Sequence, residues 1–293
     1  MSTCPWCHSD RQRLVYKVKD HFLSQEEFEI FACLDCDFVH TEPRPTPDKI
    51  GAYYQSDEYY SHQENKKGFI PKIYEAVKSV NLKNKVRLSL RGLPKGSVLD
   101  IGCGVGDYLL QAKKVGWSIQ GVEPSEDARK IAYKRLGFTP LMPAETSSLP
   151  DASFEVITMW HVLEHVDDLR WQVAEIQRLL KPGGRLVLAL PNYLSFDCQY
   201  YKEYWAAWDV PRHLNHFHIS SLEYIFKPVH IDLVELDKLR WDAYYISYLS
   251  EKYKGHSLPL LRGALIGLWS NLHALRDNEY SSMVYRFIKD DRK

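Results

Sequence analysis

The segment SVLDIGCGVG, from Ser97 to Gly106, constrains the fold of this 293-residue chain more than any other. A short apolar run ends in Asp100, and glycines follow at alternate positions, beginning with Gly102 and Gly104. Glycine has no Cβ, so such a loop can turn sharply and bring its backbone amides close to a ligand. The segment therefore predicts the first strand and the ligand loop of a Rossmann-like sheet.

The spacing of these glycines indicates the kind of ligand. A dinucleotide fingerprint reads G-x-G-x-x-G and places a pyrophosphate on the N-terminus of the next helix. Here the pattern is G-x-G-x-G and the next residue is Asp107. An acid at this position repels a pyrophosphate but tolerates a ligand with a cationic polar end. S-adenosylmethionine (SAM), which carries a sulfonium and an α-amine, is such a ligand.

Four segments of the chain resemble, in order and spacing, the motifs of the class I SAM-dependent methyltransferases. They are VLDIGCG at 98–104, GVEPS at 121–125, FEVITMWHVLEHV at 154–166 and LKPGGRLVLALPN at 180–192. The alternation of apolar strands and amphipathic helices from residue 97 onward also favours a parallel sheet with helices on both faces. The resemblance implies an α/β, Rossmann-like sheet of seven mostly parallel strands. It further implies an antiparallel last strand at about 282–288, in a domain over 93–293 with a helical insertion at about 243–277.

The resemblance also implies which residues hold the cofactor. Glu123 ends the second strand, where its two carboxylate oxygens can accept bonds from both ribose hydroxyls. Asp100 and the backbone of the glycine loop are expected to face the methionine amine. The loop after the third strand is expected to edge the adenine, although it carries Pro143-Ala144 where many relatives have an Asp-Ala pair. The full predicted set is Asp100, Gly102, Cys103, Gly104, Glu123, Pro124, Ala144, Glu145 and Trp160.

Residues 1–45 contain two C-x2-C pairs, Cys4/Cys7 and Cys33/Cys36, separated by 25 residues. Two such pairs can supply four thiolate ligands in a tetrahedral arrangement. This region is therefore predicted to be a zinc-ribbon module with a hairpin between the pairs. Reduced thiols or two disulfides are the alternative. A module of this size buries little apolar surface, and a structural Zn²⁺ would contribute much of its folding free energy. The ribbon and the SAM domain are expected to have separate cores.

Residues 46–92 are predicted to form a proline-rich linker and a helical cap. In methyltransferases such N-terminal helices cover the methionine end of SAM. Four tyrosines of this region could therefore line the active site, although aromatic packing between the helix and the sheet is an equal alternative. They are Tyr53, Tyr54, Tyr59 and Tyr60.

Two groups of histidines are candidates for catalysis. His161 begins an H-x-x-E-H motif, which also occurs in zinc proteases, but there it requires a regular helix, whereas here it directly follows an apolar strand. Trp160 and His161 are instead expected to form the pocket wall, and His165 to cap the next helix. Near 213–218, the chain resembles a Tyr-x-Glu-His segment of zinc-ribbon-bearing sugar C-methyltransferases. His216 matches the basic histidine, while His213 and Asn215 differ from that pattern. His216 is the predicted general base, with His161 and His213 as competitors.

Bulk properties limit the partners. The formal net charge is zero, and the ribbon carries five Lys/Arg against eight Asp/Glu, which disfavours phosphate binding. The polar start of the chain does not resemble a signal peptide, and the apolar stretch 258–275 is interrupted by polar residues, so a cytoplasmic protein without a membrane span is expected. The predicted function is methyl transfer to a small hydroxylated acceptor, most plausibly a sugar or nucleotide-sugar. An rRNA base methyltransferase and a non-catalytic SAM-binding scaffold are the alternatives.

Overall fold

The computed structural model describes residues 3–54 and 69–291. Its strands are β1 Gln12–Lys19, β2 Glu27–Cys33, β3 Val39–Glu42, β4 Ser97–Ile101, β5 Ser118–Val122, β6 Phe154–Trp160, β7 Leu180–Pro191, β8 Asn215–His216, β9 Ile231–Lys238 and β10 Ser282–Lys289. Its helices are α1 Pro47–Ile50, α2 Phe69–Leu90, α3 Asp107–Lys114, α4 Glu126–Leu136, α5 Leu169–Leu179, α6 Phe196–Tyr201, α7 Ile219–Phe226, α8 Asp242–Tyr253 and α9 Pro259–Asp277.

The main sheet has the strand order β5-β4-β6-β7-β10-β9. The first four strands are parallel, and β10 is antiparallel to both of its neighbours. This confirms the predicted α/β class and the antiparallel last strand. The predicted count of seven strands is wrong for the described residues. The expected third strand is reduced to a single parallel bridge between Val122 and Leu141, because a proline at position 143 starts a 3-10 turn two residues later.

Local sequence explains most boundaries of these elements. Strands β4 and β6 are almost continuously apolar, as expected for strands covered by helices on both faces. The Ser125 hydroxyl accepts from the amide of Ala128 and caps α4, while Asp168 accepts from the amide of Trp171 and caps α5. Asp168 therefore has the capping role expected for His165. The result is a sheet whose loops after β4, β5 and β6 meet at one edge.

A second sheet has the order β1-β2-β3-β8 and is antiparallel throughout. Strands β1 and β2 form the hairpin expected between the two cysteine pairs. Strand β8 comes from a distant part of the chain, with Val39 opposite His216 and His40 opposite Asn215. The sheet of the cysteine-bearing region is thus completed by a strand that lies between β7 and β9 in sequence.

The cores of the ribbon and the SAM domain are shared, contrary to the expectation of separate cores. Cys4, Cys36 and Phe38 belong to one apolar cluster with Phe217 and the main-sheet residues. A second shared cluster joins β1 and β2 to the residues between β7 and β8, through Val18, Phe28, Ile30, Trp205 and Trp208. The two cores are not separate because the region 205–217 packs against both the ribbon and the main sheet. A ribbon of this size also leaves apolar side chains that its own strands do not cover.

The C-terminal region contains the helical insertion predicted at about 243–277, as the helix pair α8 and α9. Gly263 and Gly267 lie against the backbone of α8, so that an added Cβ would come within 2.6 and 2.8 Å of it. Strand β9, which pairs with β10, was not foreseen because its exposed side chains and polar sequence weaken the strand pattern. None of the helices in the described part of the chain combines the length and apolar character needed to cross a bilayer.

Candidate active site

Glu123 is held at the end of β5 by two backbone amides. Its carboxylate oxygens accept from the amides of Gly104 and Ser125, each at 2.8 Å. The side chain is buried, with 8% of its surface exposed. A carboxylate offers about four lone-pair positions, so about two stay available for a diol after these two bonds. The same contacts fix the Glu123 side chain beside the glycine loop.

The glycine loop after β4 is built by backbone conformations that favour glycine. Gly102 has a φ of +73°, and a Cβ added there would lie 2.3 Å from a methyl of Val162. Its amide donates to the carbonyl of Val122, as does the amide of Cys103. Gly104 has a φ of +54° and open space where a Cβ would lie. The open side of the loop is therefore at Gly104, while Gly102 and Cys103 close it against β5 and the segment after β6.

Asp100 lies at the centre of this edge and is 3% exposed. Its Oδ1 accepts from the hydroxyl of Thr158 at 2.6 Å. Burial raises the pKa of Asp100 to about 7, although Thr158 and the charge of Lys85 act in the opposite direction. The Lys85 ammonium lies 4.8 Å from the ring centre of Trp160, and burial lowers its pKa. A buried acid, a cation and an indole face thus share one small region.

The predicted adenine residues lie at the rim. Ala144 and Glu145 belong to an exposed 3-10 turn, Pro143–Ser148. The Glu145 carboxylate accepts from the amide of Met142 and so caps its own turn. Pro124 accepts from Arg129 through its carbonyl, at 2.7 Å. One carboxylate oxygen of Glu145 is therefore already hydrogen-bonded within its own turn. The other oxygen takes no part in that bond.

His161 directly follows β6 and adopts a φ of +56°, which is rare for a residue with a side chain. Its ring is 37% exposed, with Nδ1 3.6 Å from Oε1 of Glu164 and Nε2 3.5 Å from Oδ2 of Asp242. Burial lowers the pKa of His161, but the two carboxylates outweigh it and the net shift is upward. The H-x-x-E-H motif forms a 3-10 turn, Leu163–His165, rather than the regular helix of a zinc protease.

His213 and His216 lie inside the junction between the ribbon and the main sheet. His216 is 5% exposed, and its Nε2 is 2.9 Å from the hydroxyl of Thr41. That hydroxyl donates to the carbonyl of His213, so the Nε2 of His216 carries a proton and donates to Thr41. Burial lowers the pKa of His216 far below its usual range. Of the three candidate histidines, only His161 reaches the cofactor edge with an exposed ring.

The tyrosines of the predicted cap have different surroundings. Tyr53 donates to Oε2 of Glu26 in the ribbon, and the hydroxyl of Tyr54 lies 3.1 Å from Nδ1 of His165. Tyr59 and Tyr60 lie outside the described residues. The two described tyrosines therefore pack at the junction between the ribbon and the main sheet.

The four predicted zinc ligands come together. The Sγ atoms of Cys4 and Cys36 are 3.7 Å apart, those of Cys7 and Cys33 are 3.4 Å apart, and all four lie within 4.8 Å of one another. These distances are too long for disulfides, whose sulfurs are bonded at about 2.05 Å. A tetrahedral zinc with Zn–S bonds of about 2.3 Å separates its sulfurs by about 3.8 Å. The donor set and its spacing therefore fit Zn²⁺.

Comparison with known proteins identifies the domain. A family model described as "Methyltransferase domain" matches residues 74–236, more than half of the chain. The chain belongs to the methyltransferase domain family. Its sheet is also similar to that of geranyl diphosphate C-methyltransferase from Streptomyces coelicolor, with a TM-score of 0.57 and 13% identity over 84% of this chain and 100% of that one. At this identity the likeness shows a common fold.

Curated relatives match shorter parts of the chain than the family model does. The chain is 35% identical over 101 residues to the mitochondrial ubiquinone biosynthesis O-methyltransferase of Schizosaccharomyces pombe, covering 31% of this chain and 36% of that protein. It is 35% identical over 133 residues to the demethylmenaquinone methyltransferase of Thermotoga maritima, covering 43% of this chain and 58% of that protein. The matched segments thus span from about a third to just over half of these relatives.

Sequence reasoning missed three side chains at this edge: Lys85, Glu164 and Asp242. Glu164 stands inside the H-x-x-E-H motif, so the motif itself could have identified it. Lys85 and Asp242 carry no such signal, because a lysine on a long helix and an acid at a helix start are usually solvated. Their positions depend on how α2 and α8 pack over the sheet.

Proposed function

We propose that this protein transfers a methyl group from SAM to a small hydroxylated acceptor. The observation that carries the proposal is the edge formed by the loops after β4, β5 and β6, where Glu123, the glycine loop and Asp100 lie beside the exposed ring of His161. SAM, when bound, supplies a methyl group on a sulfonium. The Glu123 carboxylate would hold the ribose diol, and Asp100 would face the α-amine. The remaining predicted cofactor residues are Gly102, Cys103, Gly104, Pro124, Ala144, Glu145 and Trp160.

His161 is proposed to accept the proton of the acceptor. The acceptor oxygen forms a bond to the methyl carbon while the carbon–sulfur bond breaks, and the electron pair of that bond stays on sulfur. The enzyme mainly has to orient the acceptor and remove its proton. Glu164 lies 3.6 Å from Nδ1 of His161 and Asp242 lies 3.5 Å from its Nε2, where their charges stabilise the protonated ring. The burial and Nε2 bond of His216 favour His161 over it, and His213 is likewise buried.

The four-cysteine site is proposed to hold a structural Zn²⁺. Its thiolates belong to the apolar cluster that contains Phe217, and β3 of the ribbon pairs with β8. The metal would therefore stabilise the segment 205–217 as well as the ribbon itself. This packing, together with the acidic charge of residues 1–45, argues against an RNA-gripping role.

The acceptor is proposed to be a sugar-like molecule. Glu164, Asp242 and Lys85 place charges around His161, and carboxylates such as Asp242 accept hydrogen bonds from hydroxyls. A ring hydroxyl, as in a catechol or quinol, is the competing acceptor class; two curated relatives are named for ubiquinone biosynthesis and for demethylmenaquinone. Cytoplasmic placement remains a prediction.

The test is formation of S-adenosylhomocysteine by the purified full chain with each acceptor class. We expect SAM-dependent product with nucleotide-sugars, and none with ribosomal RNA. Turnover of a catechol at a higher kcat/KM than any sugar would redirect the acceptor assignment. Absence of SAM binding in calorimetry would remove the methyltransferase proposal altogether.

A further inference from the structure

Within the part of the chain that the structure describes, the carboxylate of Glu164 is buried without a hydrogen bond. The side chain is 1% exposed, and neither oxygen accepts a hydrogen bond from the described residues. Nδ1 of His161 lies 3.6 Å from Oε1, beyond hydrogen-bond distance. Burying a carboxylate in this way is costly unless a cation or donors compensate it. The position therefore calls for a positive partner.

The rings of His165 and His213 lie edge to face with their centroids 4.6 Å apart, and one nitrogen of each ring contacts a backbone carbonyl. Nδ1 of His165 lies 2.9 Å from the carbonyl of Arg212, and Nδ1 of His213 lies 2.9 Å from the carbonyl of Ala207. A carbonyl only accepts, so each Nδ1 carries the proton and each Nε2 keeps its lone pair. Histidines that bind metals usually donate their other ring nitrogen to a carbonyl or carboxylate in this manner.

We propose that Glu164, His165 and His213 bind a divalent transition-metal ion, separate from the four-cysteine site. One ligand atom of each residue lies within 4.8 Å of the others. Metal–nitrogen bonds of about 2.0–2.1 Å bring tetrahedral ligands to about 3.4 Å from one another, so closure requires shifts of about 1 Å. Two imidazoles and one carboxylate suit Zn²⁺ or Fe²⁺ and leave at least one coordination position open.

The site joins two distant parts of the chain. Glu164 and His165 follow β6, whereas His213 lies in the segment that carries the tryptophans of the ribbon junction. A small cavity lies beside Glu164 and His213 and is also lined by Trp205 and His216. Open space thus adjoins two of the three proposed ligands. The metal would hold the 205–217 segment against the end of β6. Glu164 also lies 3.6 Å from Nδ1 of His161, so the metal ligands adjoin the proposed base, whereas metal binding itself requires neither the acceptor nor SAM.

Cobalt titration of the metal-free full chain tests the site. We expect two equivalents of Co²⁺ to bind, one with the intense thiolate charge-transfer absorption of the cysteine site and one without it. Only the second should produce paramagnetically shifted imidazole N–H resonances in proton NMR, because only that site contains histidines. Binding of a single, thiolate-type equivalent to the wild-type protein would overturn the proposal before any variant is made.

Substitutions assign the second equivalent to its ligands. Glu164→Gln and His213→Gln should each weaken it by more than about 100-fold, since even outer-shell changes cost 10–100-fold in metal affinity. The thiolate absorption of the first equivalent should stay in both variants and reports that they are folded. The matched control is His273→Gln, because His273 lies on α9, where its ring packs against Phe196 and Trp269. A second equivalent that persists unchanged in both variants would refute the assignment.

Discussion

The cofactor edge and the ribbon junction are built in different ways. At the cofactor edge, Asp100, the glycine loop and Glu123 lie within 24 residues of one another in sequence and within one βαβ unit. At the junction, Thr41 bonds to His216 and Asp20 pairs with Arg212, across 175 and 192 residues. The first region is specified by a local motif, and the second by long-range packing. Changes at the junction should therefore affect folding, while changes at the edge should affect cofactor binding or turnover.

Loss of one zinc thiolate should have the largest effect. In Cys36→Ser the zinc of the four-cysteine site should be lost, and an apparent binding free energy of about 10–16 kcal/mol is typical of such sites. Because the cysteines share an apolar cluster with Phe217, the segment with Trp205 and Trp208 should unfold with the ribbon. Elemental analysis and tryptophan fluorescence measure the two losses.

The cofactor edge should survive that substitution. The cluster around Leu109, Trp117 and Leu136 contains no described ribbon residue, although Ile101 and Val122 belong to the cluster shared with the cysteines. SAM binding by Cys36→Ser, measured by calorimetry, should therefore persist. Cys198→Ser is the control, since this buried cysteine lies outside the ribbon and should leave zinc in place. A Cys36→Ser protein with unchanged tryptophan fluorescence would show that the two cores are separate after all.

Removal of the proposed proton acceptor, His161, should have the second-largest effect. His161→Asn should lower kcat by about 10²- to 10⁴-fold, the usual contribution of a positioned general base. The dissociation constant of SAM should change little, because the base contacts the acceptor. Steady-state kinetics of the variant, with His273→Asn as the control, measure this split. Near wild-type turnover in His161→Asn together with its loss in His216→Asn would return the role to His216.

Loss of the Glu123 carboxylate, which is proposed to bind the ribose, should have a smaller effect. Glu123→Ala should weaken SAM binding by about 1–3 kcal/mol, roughly 5- to 150-fold, as expected when a charged hydrogen-bond partner is lost. Glu126→Ala is the matched control, because Glu126 is an exposed residue of the adjoining helix that pairs with Lys130. Calorimetry at one salt concentration compares the two. Equal SAM affinities of both variants would exclude Glu123 from the ribose site.

The contrast between the two regions also explains what the sequence could predict. The parallel sheet, the glycine loop and the four cysteines follow from short motifs, because their geometry depends on neighbouring residues. The shared cores and the role of β8 do not, because a two-residue strand leaves no periodic pattern. His216 illustrates the limit. Its match to a basic histidine was local, but its burial beneath Thr41 depends on β3, far away in sequence.

The smallest predicted effect is a pH dependence of cofactor binding that arises from Asp100. Its pKa of about 7 is raised mainly by burial. The ionised form should bind the α-ammonium of SAM better, so affinity should fall as the pH drops through 7. A group with this pKa is about one-tenth ionised at pH 6 and half ionised at pH 7, which predicts about fivefold weaker binding at pH 6. An α-amine, with a pKa of about 7.7–8.0, stays mostly protonated over this interval.

Asp100→Asn should remove most of this pH dependence, and Asp127→Asn, at an exposed position on α4, should retain it. Other titratable groups also face Asp100 and are kept in both variants: Lys85, Cys103, Tyr108 and Glu123. Calorimetry at pH 6 and pH 7 in buffers of equal ionic strength measures the ratio. An affinity ratio that is the same in the wild-type protein and in Asp100→Asn would show that a different group at the cofactor edge controls the binding. The Asp100 carboxylate would then contribute to the architecture of the loop through Thr158 and would not face the amine.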